Sequence, residues 1–261
     1  MAALRGRPTL WGGLLLLSAG GWIVTVQQAT AGSGMSDNMS GMSGMSGMSG
    51  MGDMSAASTT AAVFLPVWVA MMIAMMFPAV APVTSLFTAA AHKSRAAGRS
   101  FAPVPVFLAG YLVVWTAFGV AAYLLSRAVP SVDMMAPGLR SASPVAAGLL
   151  LAFAGIYEFS PLKRMCLRHC RSPLGLFMKL WRPGWLGALR MGSIHGAYCL
   201  GCCWGLMLVL FAVGLMNLLV MVLLSAVIFA EKVLPRGQLL GNLTGAVLIA
   251  GGLFELTSPI R

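Results

Sequence analysis

The chain has 261 residues, 59% of them hydrophobic and only 9% charged, with a formal net charge of +11. An average soluble domain carries about a quarter charged residues, so an ordinary water-soluble globule is excluded. Nucleic acid is excluded as the target of the positive charge, because the basic residues gather in a few short loops, as they do when they fix orientation in a bilayer.

The apolar residues come in blocks near membrane-spanning length, about 20 residues each. A barrel would show short alternating segments instead, so the pattern defines an all-α integral membrane protein. A polytopic bundle of about seven transmembrane helices is expected, or six if the first is a cleaved signal.

Arg5 and Arg7 precede an apolar run over residues 10–26, the first predicted span. Its basic start and the small residues Ala29, Thr30 and Ala31 also suit a signal peptide. Residues 1–30 are therefore an anchor helix or a signal peptide, with the retained anchor favoured. Residues 31–60 are expected to be a disordered extracytoplasmic loop containing "MSDNMSGMSGMSGMSGMGDMS". Its methionines Met35, Met39, Met42, Met45, Met48, Met51 and Met54 stand among Gly and Ser, which bring flexibility and no core. Two readings stand: a low-complexity linker grown by repeat slippage, or a tether whose thioethers capture soft metal ions.

Residues 61–261 make the predicted six-helix transmembrane domain. Its first helix, 61–91, contains "WVAMMIAMMFPAVAP". Pro78 and Pro82 are expected to kink it, which a membrane helix tolerates when neighbours satisfy the freed carbonyls. A loop with Lys93, Arg95 and Arg99 leads to a helix at 104–126, and one with Arg127, Asp133 and Arg140 to a helix at 144–159. The most basic stretch follows, residues 163–190, with "CLRHC" and "LWRPGW". The last spans cover 191–214, 218–230 and 239–256, separated by a turn at Met216 and Asn217 and by Glu231, Lys232 and Arg236.

In this layout 14 of the 17 Lys and Arg fall on one side, with Arg127, Arg140 and Arg261 on the other. The positive-inside bias makes the richer side cytoplasmic. The expected setting is the inner (cytoplasmic) membrane, with an uncleaved N-terminus inside and both the Met-rich loop and the C-terminus outside. Binding of lipid phosphate by "KRMCLRHCR" is a lesser alternative to this topological role.

Three clusters carry candidate chemistry. Relative to Met71, Met72 points about 100° round the helix, Met75 about 40° and Met76 about 140°, so the four thioethers share one side. Gap-filling in an apolar helix would also explain them. In "HGAYCLGCCWGLM", with His195 at zero, Cys199 falls at about 40°, Cys202 at about −20° and Cys203 at about 80°. Gly201 and Gly205 lie on the opposite side, a small-xxx-small pair that lets another helix approach. Buried cysteine alone is a small hydrophobe, and a lone membrane histidine is a cross-helix hydrogen bond. One imidazole and three thiols on one arc favour a metal or redox site.

Met71 begins about 15 Å from the outer end of its helix, and Cys199 about 12 Å from the inner end of its own. In a hydrocarbon core about 30 Å thick these levels nearly coincide, so the two helices are expected to meet at a midplane site. The third cluster, Cys166, His169 and Cys170, would sit together at the cytoplasmic end if that helix continues, as an exit site. Glu158 and Glu231, each with basic neighbours, are expected to be structural ion pairs.

Thiolate and thioether donors select copper(I). Zinc takes Cys and His but gains little from thioether, and so is the lesser expectation. Calcium and magnesium need oxygen ligands, and the chain has only six carboxylates.

The blocks "WVAMMIAMMFPAVAP", "GIYEFSPLKRMCLRHCRSP" and "HGAYCLGCCWGLM", with "GLMN" and "EK" after them, resemble a bacterial family of predicted metal-binding integral membrane proteins, a domain of unknown function. The resemblance covers residues 61–235 and leaves out the Met-rich segment. It implies a membrane protein with a metal role. There is also a looser similarity to Ctr-type copper transporters, which combine a Met-rich outer segment, a membrane Met-x-x-x-Met and a cytosolic Cys/His cluster. Met71 with Met75, and Cys166, His169 and Cys170, are similar in kind.

The expected function is a copper(I)-binding membrane protein that captures, relays or delivers the ion. A membrane thiol redox protein and a non-catalytic assembly subunit of a larger complex are the alternatives. An enzymatic role is less expected than a non-catalytic one, and no catalytic residue stands out. The expected partners are the lipid bilayer and a copper chaperone or cuproenzyme, with no nucleic acid and an open oligomeric state. No ATP-binding motif occurs, so energy-driven pumping is unsupported.

Overall fold

A computed structural model describes residues 8–41, 61–98, 100, 102–128, 143–172, 181–214 and 217–257. These form eight helices and no strand: α1 Pro8–Gly41, α2 Ala61–Ala96, α3 Val104–Ala128, α4 Pro144–Glu158, α5 Pro161–Arg171, α6 Trp185–Val213, α7 Leu218–Val233 and α8 Gly237–Thr257. Among the described residues, α1, α2, α3, α6 and α8 are each long and apolar enough to cross a membrane, and α4 and α5, bent by 61° at the break between them, pass that test only when taken together. The chain is a polytopic, all-helical membrane protein. α7, at 16 residues and about 24 Å, is shorter than each of those five helices.

Several boundaries differ from expectation, among them the end of α7, which runs to Val233 and carries Glu231 and Lys232. α1 runs on to Gly41, so Met35 and Met39 lie on a helix, while Met42, Met45, Met48, Met51 and Met54 fall outside the described residues. α6 starts at Trp185, drawing "WLGALR" from the basic stretch into the helix. Most consequentially, "PLKRMCLRHCR" forms α5 instead of a cytoplasmic loop. Two Ser-Pro pairs start the neighbouring helices. Ser143 Oγ caps α4 by accepting from Ala146 N at 3.3 Å, and Ser160 Oγ caps α5 by accepting from Lys163 N at 3.1 Å. Proline at the first helical position lacks only an N–H that would have had no partner.

The centre of the bundle is α6, packed by α3, α4, α5 and α7. α1 lies along α2 at one edge, and α8 along α4 at the other. The α1–α2 contact resolves the proline problem in α2. Pro78 cannot donate to the Ala74 carbonyl, and Ser18 Oγ of α1 donates to that oxygen at 2.8 Å. Gly21, one turn along α1, makes the approach feasible, since a Cβ there would sit 2.8 Å from the Ala70 oxygen.

Candidate metal centre

All five cysteines are free and buried. Cys199, Cys202 and Cys203 lie on the inward face of α6, each about 1% exposed. The Cys202 and Cys203 thiols reach back to the Cys199 carbonyl at 3.1 and 2.8 Å, the usual local bonding of small polar side chains in a helix. Cys199 Sγ lies 3.0 Å from the Tyr111 hydroxyl of α3 and 3.0 Å from Lys232 Nζ of α7.

The separate exit site expected at Cys166, His169 and Cys170 does not form as such. The 61° bend after Glu158 folds α5 back against α6. Its buried face, Lys163, Cys166, Leu167 and Cys170, has helical spacing, so both thiols turn toward α6. Cys170 Sγ comes within 3.7 Å of Cys202 Sγ. Cys166 fills the space over Gly201, where a Cβ would lie 2.7 Å from its sulfur. Tyr157 occupies the equivalent place over Gly205, and its hydroxyl donates to the Gly201 carbonyl. Gly201 and Gly205 thus form the packing face expected of them. His169 leaves the group: its ring stacks on Tyr198, centroids 4.5 Å apart and nearly parallel, and Nδ1 faces the Met165 carbonyl at 2.9 Å.

His195 is buried between the rings of Phe107 and Tyr111, at 6.2 and 6.1 Å, and its Nδ1 has no partner. An orphaned imidazole nitrogen in an apolar interior is costly unless something binds it.

Met71, Met72, Met75 and Met76 are all buried, in the same core as the five cysteines. The face-to-face meeting expected of their helix with the thiol helix is not what positions them, for α2 packs along α1, α3 and α7. Contact with α6 comes through side chains, Trp68 stacking on Phe211 at 6.3 Å. α2 and α3 are antiparallel, with Phe64 against Tyr123 and Phe87 against Phe107. α3 and α6 run parallel, with Gly192 against Phe107 and Gly196 against Tyr111. Descending from the Trp68–Phe211 level, Met71 to Met76 therefore lie about 5–12 Å down and Cys203 to Cys199 about 12–18 Å. The thioether levels end where the thiol levels begin, with α3 and α7 beside them.

A buried ionic group lies beneath. Lys163 pairs with Glu158 at the end of α4 and, at 2.8 Å, with Glu231 of α7, all three 3% exposed or less at the side chain. The ion pairing expected of both carboxylates is present, and it locks the α4–α5 bend to α7.

Tyr111 and Lys232 are site residues that spacing alone did not single out. Tyr111 stands at helical intervals from Phe107 and Trp115 and looks like core; Lys232 stands at the end of a span and looks like an orientation signal. The signal available for Lys232 was a cation next to an acid in an otherwise apolar segment.

Among the described residues, no three His, Cys, Asp or Glu side chains converge closely enough to hold a metal ion. What exists is an interhelical sulfur pair, with further thiols, thioethers and an unpartnered imidazole around it. The nearby carboxylates are engaged by Lys163. Such a donor set suits a soft monovalent ion.

Fold and site together define a multi-pass membrane protein with a sulfur-lined interior. The chain belongs to the PpoB2 family, described as copper chaperone, whose model matches residues 65–254. Its function is accordingly tied to copper. No curated protein and no solved structure matches it.

Proposed function

We propose that this protein accepts copper(I) on the non-cytoplasmic side of the inner membrane, holds it within the bundle and hands it to a partner. The Met-rich segment serves as the collector. Met71, Met72, Met75 and Met76 offer weak, exchangeable thioether positions, and Cys170, Cys199, Cys202 and Cys203 with His195 offer stronger ones. Cys166, beside the basic end, stands on the path toward a soluble copper chaperone or cuproenzyme. Copper(I) is favoured over zinc because a structural zinc site takes four N or S ligands in a tetrahedron, whereas thioether-rich sets select copper(I).

The observation that carries this reading is the Cys170–Cys202 approach at 3.7 Å, which brings sulfur donors from two helices together. The test is anaerobic copper(I) titration of the purified full chain against a chromophoric competitor. Cys170→Ser with Cys202→Ser should abolish the tightest site; unchanged stoichiometry and affinity would reject the reading. Elemental analysis of the reduced wild type, if it finds no copper binding, would favour an assembly subunit.

The same distance supports a second reading, a membrane thiol redox protein, because a disulfide needs the sulfurs to close to about 2.05 Å. Trapping a mixed disulfide between Cys170 or Cys202 and another protein would favour it.

A further inference from the structure

Lys232 is the cation nearest the thiol cluster, and its contact is unusual for a lysine beside a glutamate. Glu231 turns toward Lys163, with 2.8 Å between them, whereas Lys232 Nζ turns the other way onto Cys199 Sγ at 3.0 Å. The same sulfur lies 3.0 Å from the Tyr111 hydroxyl, with either atom able to donate, and the Cys202 and Cys203 thiols donate to the Cys199 carbonyl. An ammonium is thus aimed at sulfur in a half-buried position within the lipid-spanning bundle.

Charge balance gives this arrangement a purpose, if copper(I) binds at these thiols as proposed above. Two thiols release their protons to bulk water and donate sulfur to one Cu⁺, leaving a centre of net charge −1. An uncompensated charge in a low-dielectric interior is strongly disfavoured. We propose that Lys232 is the counter-ion of a two-thiolate copper(I) centre containing Cys199, its ammonium making the loaded site neutral. Lys232 donates to the sulfur without ligating the metal, so it is a positioning and charge-matching residue. Tyr111, donating from the opposite helix, holds the same sulfur in place.

The experiment is anaerobic copper(I) competition on the full chain in detergent, with each variant checked for monodispersity. Lys232→Gln should weaken copper(I) binding at least about tenfold, as expected for removing the cation from a charge pair whose sulfur is buried, and Lys232→Arg should restore most of it. A purely structural lysine is distinguished by repeating the change in a Cys199→Met background. Thioether for thiolate makes a one-thiolate centre neutral, so Lys232→Gln should then cost less than about threefold. Equal affinity of wild type and Lys232→Gln overturns the proposal, as does a loss of the same size in the Cys199→Met background. If Cys199→Ser with Cys202→Ser binds copper like wild type, the copper assignment of these thiols fails. If that variant loses copper while Lys232→Gln does not, only the counter-ion role fails.

Discussion

Lys163 shows at the scale of a residue how much one side chain decides. It stands in a run of basic residues that reads as a cytoplasmic loop, yet it is buried against two carboxylates from different helices. Removing the cation alone leaves two buried acids uncompensated. Lys163→Met should therefore destabilise the protein by about 3–5 kcal/mol, measured by thermal or denaturant unfolding in detergent. The triple change Glu158→Gln, Lys163→Met and Glu231→Gln should recover most of that stability, because no charge is then stranded. A second residue-scale prediction concerns Gly201. A methyl there would lie 2.7 Å from Cys166 Sγ. Gly201→Ala should cost about 1–3 kcal/mol and weaken copper(I) binding through displacement of α5, whereas Gly201→Ala with Cys166→Ala should recover stability.

At the scale of the element, α2 explains how a proline-bearing helix survives in a bilayer. Pro78 frees the Ala74 carbonyl, and Ser18 of α1 supplies the missing donor. Ser18→Ala should destabilise by about 1–3 kcal/mol, the cost of an unsatisfied buried acceptor. Combined with Pro78→Ala, which restores an N–H to the helix, the same change should be nearly neutral, and a double-mutant cycle on unfolding free energy measures the coupling. That α2 needed such a neighbour was legible from Pro78 in an apolar run. Which helix would provide it was not, since Ser18 lies 56 positions earlier and nothing local marks it.

The whole molecule is organised by α6, with α5 folded back onto it. This brings the two cysteine clusters into contact through Cys170 and Cys202. Under mild oxidation Cys170 and Cys202 should form an intramolecular disulfide, detected by mass mapping, and prior loading with copper(I) should protect them. A chain in which α5 projected into the cytoplasm would give no such bond. The family match over residues 65–254 places this core, and not the Met-rich segment, in the copper chaperone family.

The sequence by itself determined the helical class, the existence of most spans, the thiol arc on α6 and the glycine face behind it. These follow from apolar run length and from the fixed turn of a helix, which are local properties. Only the tertiary structure decided that α5 exists as a bent-back helix, that Cys170 joins Cys202 while His169 turns to Tyr198, and that Lys232 and Tyr111 close around Cys199. Those outcomes depend on the angle of one break and on side chains from helices distant in the chain. A linear pattern of residues carries neither, because contact between helices is settled by packing and charge compensation after the helices have formed.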